Sequence, residues 1–289
     1  MSKKKTKVKL ELNRRDFLLV GGTAAGSVVA AQLLTTGPLS PFAGFKQEQI
    51  EGLEEASNRD SGHRWGMVIN LDKCIGCEYC LRACSATNDV MVEQPGETDE
   101  QENKRPEKPW NIVVNDETST GTPFFFSRPC LHCGDAPCVE VCPVQATYHR
   151  ADGLVVMNYD RCIGCRYCEI ACPYDARKFN WQARTDVNPF IPTWGIAEIE
   201  RRPRGVVEKC TFCIHRIDSG LKAGYTPGED REATPACVNI CPVGARLFGD
   251  LNDPNSPVTL AIEVEATIRL REELGTEPSV YYIIPKEGL

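Results

Sequence analysis

Sixteen of the 289 residues are cysteine, and they fall into four groups of four with none left over. Thiolates are soft ligands that either staple a fold or hold metal, so their spacing decides which chemistry is open. The first group is Cys74, Cys77, Cys80 and Cys84, and the third is Cys162, Cys165, Cys168 and Cys172, both with gaps of two, two and three residues. The second, Cys130, Cys133, Cys138 and Cys142, stretches the middle gap to four; the fourth, Cys210, Cys213, Cys237 and Cys241, opens it to 23. Three thiolates this close can wrap one face of a cubane iron–sulfur cluster only where the loop turns back on itself. Small residues such as Gly76 and Gly164 between them permit that turn.

The x2, x2, x3 spacing is that of the bacterial ferredoxin run, whose fourth cysteine ligates the other cluster of a pair. The fourth cysteine is expected at the start of a helix opened by Pro143, Pro173 or Pro242, while Ser85 replaces proline in group one and alters only the local turn. Disulfides would accommodate the even count but give no reason for the spacing. Structural zinc uses Cys-x2–4-Cys pairs, and group four by itself fits a zinc ribbon. Covalent haem needs histidine directly after Cys-x-x-Cys, where this sequence has Glu78, Leu81, Gly134, Arg166, Glu169 and Ile214.

The elements that must position these loops repeat. Residues 70–84, NLDKCIGCEYCLRAC, recur as NYDRCIGCRYCEIAC at 158–172, and CVEVCPVQA at 138–146 is similar to CVNICPVGA at 237–245. The repeats predict two ferredoxin-like modules with two clusters each: an α+β fold of two pseudo-symmetric dicluster modules, long connecting loops and a C-terminal strap. Residues 65–250 form this tandem domain, and 251–289 are a C-terminal helix and extended tail. Strands are expected at 111–114 and 124–126, a helix at 261–274 ended by Gly275, and an extended segment at 279–284. Residues 178–208, with Trp181, Trp194 and several prolines, suit an arm that covers a neighbouring protein or a loop packed on its own body.

Residues 1–15 carry seven Lys and Arg against one Glu, which leaves thirteen net negative charges on the rest of a protein whose total is −7. Such an acidic body excludes nucleic acid as a partner. Arg14-Arg15 stand before a weakly apolar, Gly- and Ala-rich run at 17–34, the layout of a twin-arginine signal in residues 1–45, with an acidic linker at 46–64. Export is therefore expected by the twin-arginine route, to the periplasmic or extracytoplasmic face, with membrane association through partners or an uncleaved signal anchor. That route carries folded proteins, so a cofactor can be inserted before the chain crosses.

From 65 to 249 the chain resembles the four-cluster iron–sulfur subunits of the dimethyl sulfoxide, polysulfide and tetrathionate reductase group and related quinone-linked respiratory complexes. The resemblance is carried by the four cysteine groups with Arg128-Pro-Cys-Leu-His-Cys133, Gly205-Val-Val-Glu-Lys-Cys-Thr-Phe-Cys213 and Gly275-Thr-Glu-Pro-Ser-Val-Tyr-Tyr282. It implies four [4Fe–4S] clusters, with groups one and four in one module and two and three in the other. On this analogy Cys74, Cys77 and Cys80 share a cluster with Cys241, and Cys210, Cys213 and Cys237 share one with Cys84. Likewise Cys130, Cys133 and Cys138 go with Cys172, and Cys162, Cys165 and Cys168 with Cys142. It also implies two partners: a membrane quinone-interacting subunit, and a molybdopterin catalytic subunit or multihaem cytochrome. A free soluble polyferredoxin carrier and a zinc-binding structural module are the alternatives.

A cubane held by four protein thiolates leaves no coordination position for substrate, so one-electron transfer is the chemistry that remains. Lys73, Arg161 and Lys209 each precede a first cysteine, where a cation would favour the more negative reduced cluster unless it is merely solvated. Tyr79 and Tyr167 suit packing against a cluster, and His132 and His215 suit covering one, while His63 and His149 have no evident partner. No catalytic triad, phosphate loop or paired carboxylates emerge, and the protein alone is not expected to turn over a substrate.

Overall fold

A computed structural model describes residues 62–90, 109–117, 121, 123–183 and 185–285. The signal in residues 1–45 and nearly all of the linker lie outside the described residues. Strand β1 (Trp65–Asn70) is WGMVIN, a continuous apolar run of the sort that lies between neighbours on both sides. The first cysteine loop leads from it into helix α1 (Tyr79–Asn88). A hairpin follows, β2 (Ile112–Glu117) and β3 (Pro123–Arg128), antiparallel with Ile112 opposite Arg128. Both expected strands are present here, each longer than the sequence indicated.

The second and third cysteine groups enclose α2 (Pro137–Glu140), β4 (Thr147–His149), β5 (Val155–Met157), α3 (Tyr167–Ala171) and β6 (Arg177–Phe179). Strand β7 (Val207–Lys209) precedes the fourth group, whose long insertion is helix α4 (Ile214–Ala223) and the loop into α5 (Ala236–Asn239). Strand β8 (Arg246–Asp250), helix α6 (Pro257–Val264), strand β9 (Thr267–Arg269), a 3-10 turn at Glu272–Leu274 and strand β10 (Val280–Ile283) complete the fold. The four-stranded sheet has the order β8-β1-β10-β9, with β1 parallel to β10 and the other pairs antiparallel. β4 pairs with β5, and β6 with β7, as separate antiparallel ribbons.

Three expectations need correcting. The fourth cysteines do not open helices: Cys138, Cys168 and Cys237, the third members, lie inside α2, α3 and α5, and the fourth member and its proline follow each helix. Proline cannot donate into the preceding turn and drives the residue before it out of helical conformation, as at Cys172 with ψ 112°. Ser85 carries no such restriction, and α1 runs on through Cys84 to Asn88. In the tail, the helix spans Pro257–Val264 instead of 261–274, because Pro257 is well placed in a first turn and β-branched Thr267 and Ile268 are recruited as an edge strand against β10. Nor is the extended tail an outer strap, since β10 is an interior strand with Val280 and Tyr282 fully buried.

The main apolar cluster mixes Trp65, Met67, Ile69, Phe212, Phe248 and Tyr282 with buried cysteines of all four groups. Several helices have four or five residues and five strands have three. Pieces that short hold no conformation alone. The interior they enclose must hold them instead, and that interior is built around sulfur.

Candidate iron–sulfur sites

The four loops share a backbone device. The second residue between the first two cysteines has positive φ each time: Gly76 at 67°, Gly164 at 68°, His132 at 44° and Phe212 at 54°. This left-handed step folds each loop back toward its own centre. Glycine is required sterically in two of them. A Cβ on Gly76 would sit 2.3 Å from the Phe125 ring, and one on Gly164 would sit 2.2 Å from the Gly205 carbonyl oxygen. The other two loops fill that space with rings of their own: His132 and Phe212 stack at 4.0 Å, both fully buried.

All sixteen cysteines are free thiols, and the fold gathers them across long separations. Cys74, Cys77, Cys80 and the distant Cys241 line one cavity, with Ser127 and Arg246 in its wall. Cys130, Cys133, Cys138 and Cys172 line a second, with Tyr174 and Arg177. Cys84 faces Cys210, Cys213 and Cys237 electrostatically, and the Asn88 amide nitrogen lies 3.7 Å from the Cys84 sulfur and 3.6 Å from that of Cys213. Cys168 faces Cys142, with Cys162 and Cys165 on the same loop at the surface. Among the described residues no three Cys, His, Asp or Glu side chains close on a single ion; the thiols line cavity walls.

The surroundings suit sulfur that carries negative charge. Backbone N–H groups of Ala146, Ala245 and Phe212 donate to the sulfurs of Cys142, Cys241 and Cys210 at 3.2, 3.3 and 3.5 Å, and Arg177 donates to Cys138 at 3.0 Å. Yet burial, the largest cause, pushes these thiols the other way, with Cys133 up to about 12, Cys237 up to about 11, and Cys84 and Cys210 well upward. Neighbouring thiolates add to the rise in all four. So crowded a set of buried sulfurs can ionise together only when multivalent metal offsets their charge. Iron–sulfur clusters fit this donor set.

A 4Fe–4S dicluster domain family matches residues 73–146 and again 161–245, more than half of the sequence. The protein belongs to this 4Fe–4S dicluster family. A second dicluster family matches 122–187. Two dicluster domains and sixteen cysteines account for four [4Fe–4S] clusters. Among relatives, the iron–sulfur cluster-binding subunit of menaquinone reductase from Nitratidesulfovibrio vulgaris is 41% identical over 244 residues, 78% of this chain and 90% of that one. A subunit of tetrathionate reductase from Salmonella typhimurium is 33% identical over 96% of this chain and 90% of its own length. A component of polysulfide reductase from Wolinella succinogenes is 32% identical over 78% and 96%. The resemblance carried by the motifs is thereby established.

Around this dicluster framework the other singled-out residues have definite places. Lys209 is fully buried, and its ammonium donates to the carbonyls of Val155 and, at 2.8 Å, Cys210. Lys73 is exposed and Arg161 half-buried. His132 accepts from the Val155 N–H at 3.2 Å through Nδ1, so Nε2 carries the proton donated to the Cys210 carbonyl at 3.1 Å. Burial, seconded by Lys209, keeps this imidazole neutral. Tyr79 lines the first cavity and packs on Trp194 at 4.6 Å, whereas Tyr167 is 60% exposed. His215 lies 2.9 Å from Glu198, and His63 gains a partner in Asp250 at 2.6 Å while stacking on Trp65. His149 sits half-buried in β4.

The segment 185–202 packs on its own body. Asn188 donates to the Ser85 carbonyl at 3.0 Å, Glu198 N–H to the Thr87 carbonyl at 2.9 Å, and Arg201 pairs with Asp89 at 2.9 Å, all on or just past α1. Four side chains at the sulfurs are not evident from the sequence pattern: Asn88, Thr276, which bonds Cys133, and the buried Arg177 and Arg246. The arginines do carry a signal, since Cys-Pro-x-x-Ala-Arg occurs at both 172–177 and 241–246. Asn88 and Thr276 carry none.

Proposed function

We propose that this chain is the electron-transfer subunit of a quinone-linked oxidoreductase complex. It passes single electrons between a membrane quinone-interacting subunit and a molybdopterin catalytic or multihaem cytochrome subunit. The observation that carries the reading is Cys241 in the wall of the cavity lined by Cys74, Cys77 and Cys80. A cysteine far along the sequence completes the first loop's set, the crossed pairing expected of a two-cluster module. The clusters, when bound, supply reversible one-electron carriage with no open position for substrate.

The protein's own residues do the rest. Cys74, Cys77, Cys80 and Cys241 hold one cluster, and Cys84, Cys210, Cys213 and Cys237 the next. Cys130, Cys133, Cys138 and Cys172 hold a third, and Cys142, Cys162, Cys165 and Cys168 the fourth. Pairing of β1 with β8 encloses groups one and four, and pairing of β4 with β5 joins groups two and three, which supports two pseudo-symmetric modules. The central sets are the buried ones, and the His132–Phe212 stack joins their loops. The outer sets approach solvent, where Ile75 and Ile163 are exposed. These residues order the sites as one, four, two, three and keep water from the middle of the path.

Export by the twin-arginine route belongs to the same reading, supported by Arg14-Arg15 and the run at 17–34. Among the described residues no helix is long and apolar enough to cross a membrane. Association with a quinone site then rests on another subunit, a link that the menaquinone reductase relative supports. Protein purified without air should be brown, with about four irons and four sulfides per cysteine quartet. A colourless protein holding zinc overturns the proposal. Native protein extracted from membranes should carry its two partners with it, and isolation as a lone soluble chain would favour the free carrier.

A further inference from the structure

Two buried guanidinium groups stand at the sulfurs. Arg177 is 2% exposed and Arg246 4%. Each lies five residues beyond a fourth cysteine and begins a strand, β6 or β8. Each has a methionine sulfur and a hydroxyl among its neutral partners, and Arg246 has an amide oxygen besides. Arg177 donates to Met157 Sδ at 3.1 Å and Thr147 Oγ1 at 2.7 Å; Arg246 donates to Met67 Sδ at 3.6 Å, Asn111 Oδ1 at 3.0 Å and Ser127 Oγ. Among the described residues neither forms an ion pair with a carboxylate. The residue opposite Arg177 across the β6–β7 ribbon is Lys209, a second buried cation.

A guanidinium cannot shed its proton, so a buried one needs negative charge within reach. The groups in reach here are thiol sulfurs, and for each arginine they come from two different sets. Arg177 bonds Cys138 at 3.0 Å and also reaches Cys168. Arg246 bonds Cys237 and faces Cys80. Each guanidinium therefore lies between the third cysteines of the two groups in one module. A merely structural hydrogen-bond anchor would not need this placement, since neutral side chains already satisfy several of its N–H groups.

We propose that Arg177 and Arg246 are each the shared counter-charge of the two clusters in one module, positioning residues that hold both reduction potentials up. A fixed cation stabilises the state with one more electron, and between two sites it does so for both. The proposal rests on the cluster reading above, and its test separates the two.

Full-length protein purified without air is titrated with a reductant while low-temperature electron paramagnetic resonance follows each cluster. In R177M two of the four signals should fall to more negative potential, by at least tenfold in the one-electron equilibrium or about 59 mV, with the other two unmoved. R246M should shift the complementary pair, and R177K and R246K, which keep the charge, should restore most of each shift. Unchanged midpoints in both methionine variants overturn the proposal, as does an equal shift of all four signals. Where a methionine variant takes up less iron, its lysine counterpart decides: full iron at wild-type midpoints supports the shared counter-charge, and an equal loss of iron overturns it. Wild-type protein lacking the four signals sinks the cluster reading itself; four wild-type signals that ignore the variants sink only this proposal.

Discussion

Gly164 and Gly76 occupy equivalent loop positions but are not equally replaceable. The Cβ of G164A would meet the backbone oxygen of Gly205, which cannot swing aside, whereas that of G76A would meet the ring of Phe125, a side chain and not backbone. Both pay roughly 1–2 kcal/mol for the left-handed conformation. G164A should therefore lose most of one cluster's iron and G76A distinctly less, measured as iron and sulfide per chain. Glu198 sets a pH dependence. Burial raises its carboxyl, but hydrogen bonds from His215 and Arg216 prevail and bring it down to about 2 from 4.5. A depressed carboxylate stabilises the fold above its unfolded value, and that contribution fades as pH falls toward the folded value. The stability gap between wild type and E198Q should be level from pH 8 to about 5 in denaturant titrations and should narrow below about 4.5. At this scale the cysteines and loop glycines were legible because their types and spacing are the chemistry. Arg177 and Arg246 share the Cys-Pro-x-x-Ala-Arg pattern, but their place at the sulfurs was not legible, because a guanidinium in a sequence does not announce its burial.

At the scale of elements, Ser85 is the informative exception to the Cys-Pro rule. Its Oγ donates to the Val90 carbonyl, and its own carbonyl accepts from Asn188, so α1 and the 185–202 segment are joined there. S85P would end α1 where α2, α3 and α5 end and loosen that junction, at a cost of about 3 kcal/mol for an interior proline. The apparent melting midpoint should drop by roughly 6–12 °C for a domain of this size, read by loss of cluster absorbance on heating. Strands β2 and β3 were legible from apolar runs, and the Gly275 stop from its conformational freedom, with φ 66° in the structure. The helix at 261–274 was misplaced because local helix preference lost to pairing with β10, a partner invisible to any local window. Proline-opened helices failed for a related reason: the same ring that tolerates a first turn also terminates the turn before it.

Across the whole molecule, exposure grades from one end of the proposed path to its middle. Cys165 is exposed and Ile163 beside it is 65% exposed, while Cys84, Cys210, Cys213 and Cys237 are all buried. Brief oxidation followed by alkylation should label Cys142, Cys162, Cys165 and Cys168 together and first, with Cys84 and its set last, as mapped by mass spectrometry. Labelling of Cys142 alongside Cys130 and Cys133 would refute the crossed assignment. The repeats made two modules legible, but the dicluster family matches pair groups that adjoin in sequence, one with two and three with four, so adjacency in sequence does not disclose which loops meet. The pairing of β1 with β8 supports the proposed module of groups one and four. Strand β10 extends the same logic into time. Its parallel neighbour β1 leaves the ribosome about 210 residues earlier, and at about 5–20 residues per second waits roughly 10–40 s for it. The residues just ahead of β10 also accept from the second cysteine loop, where Gly134 and Asp135 donate to the carbonyls of Glu277 and Thr276 at 2.7 and 3.1 Å. A nascent chain therefore has no finished second cysteine loop until the segment leading into β10 emerges, and delivery of iron and sulfide there waits on that segment.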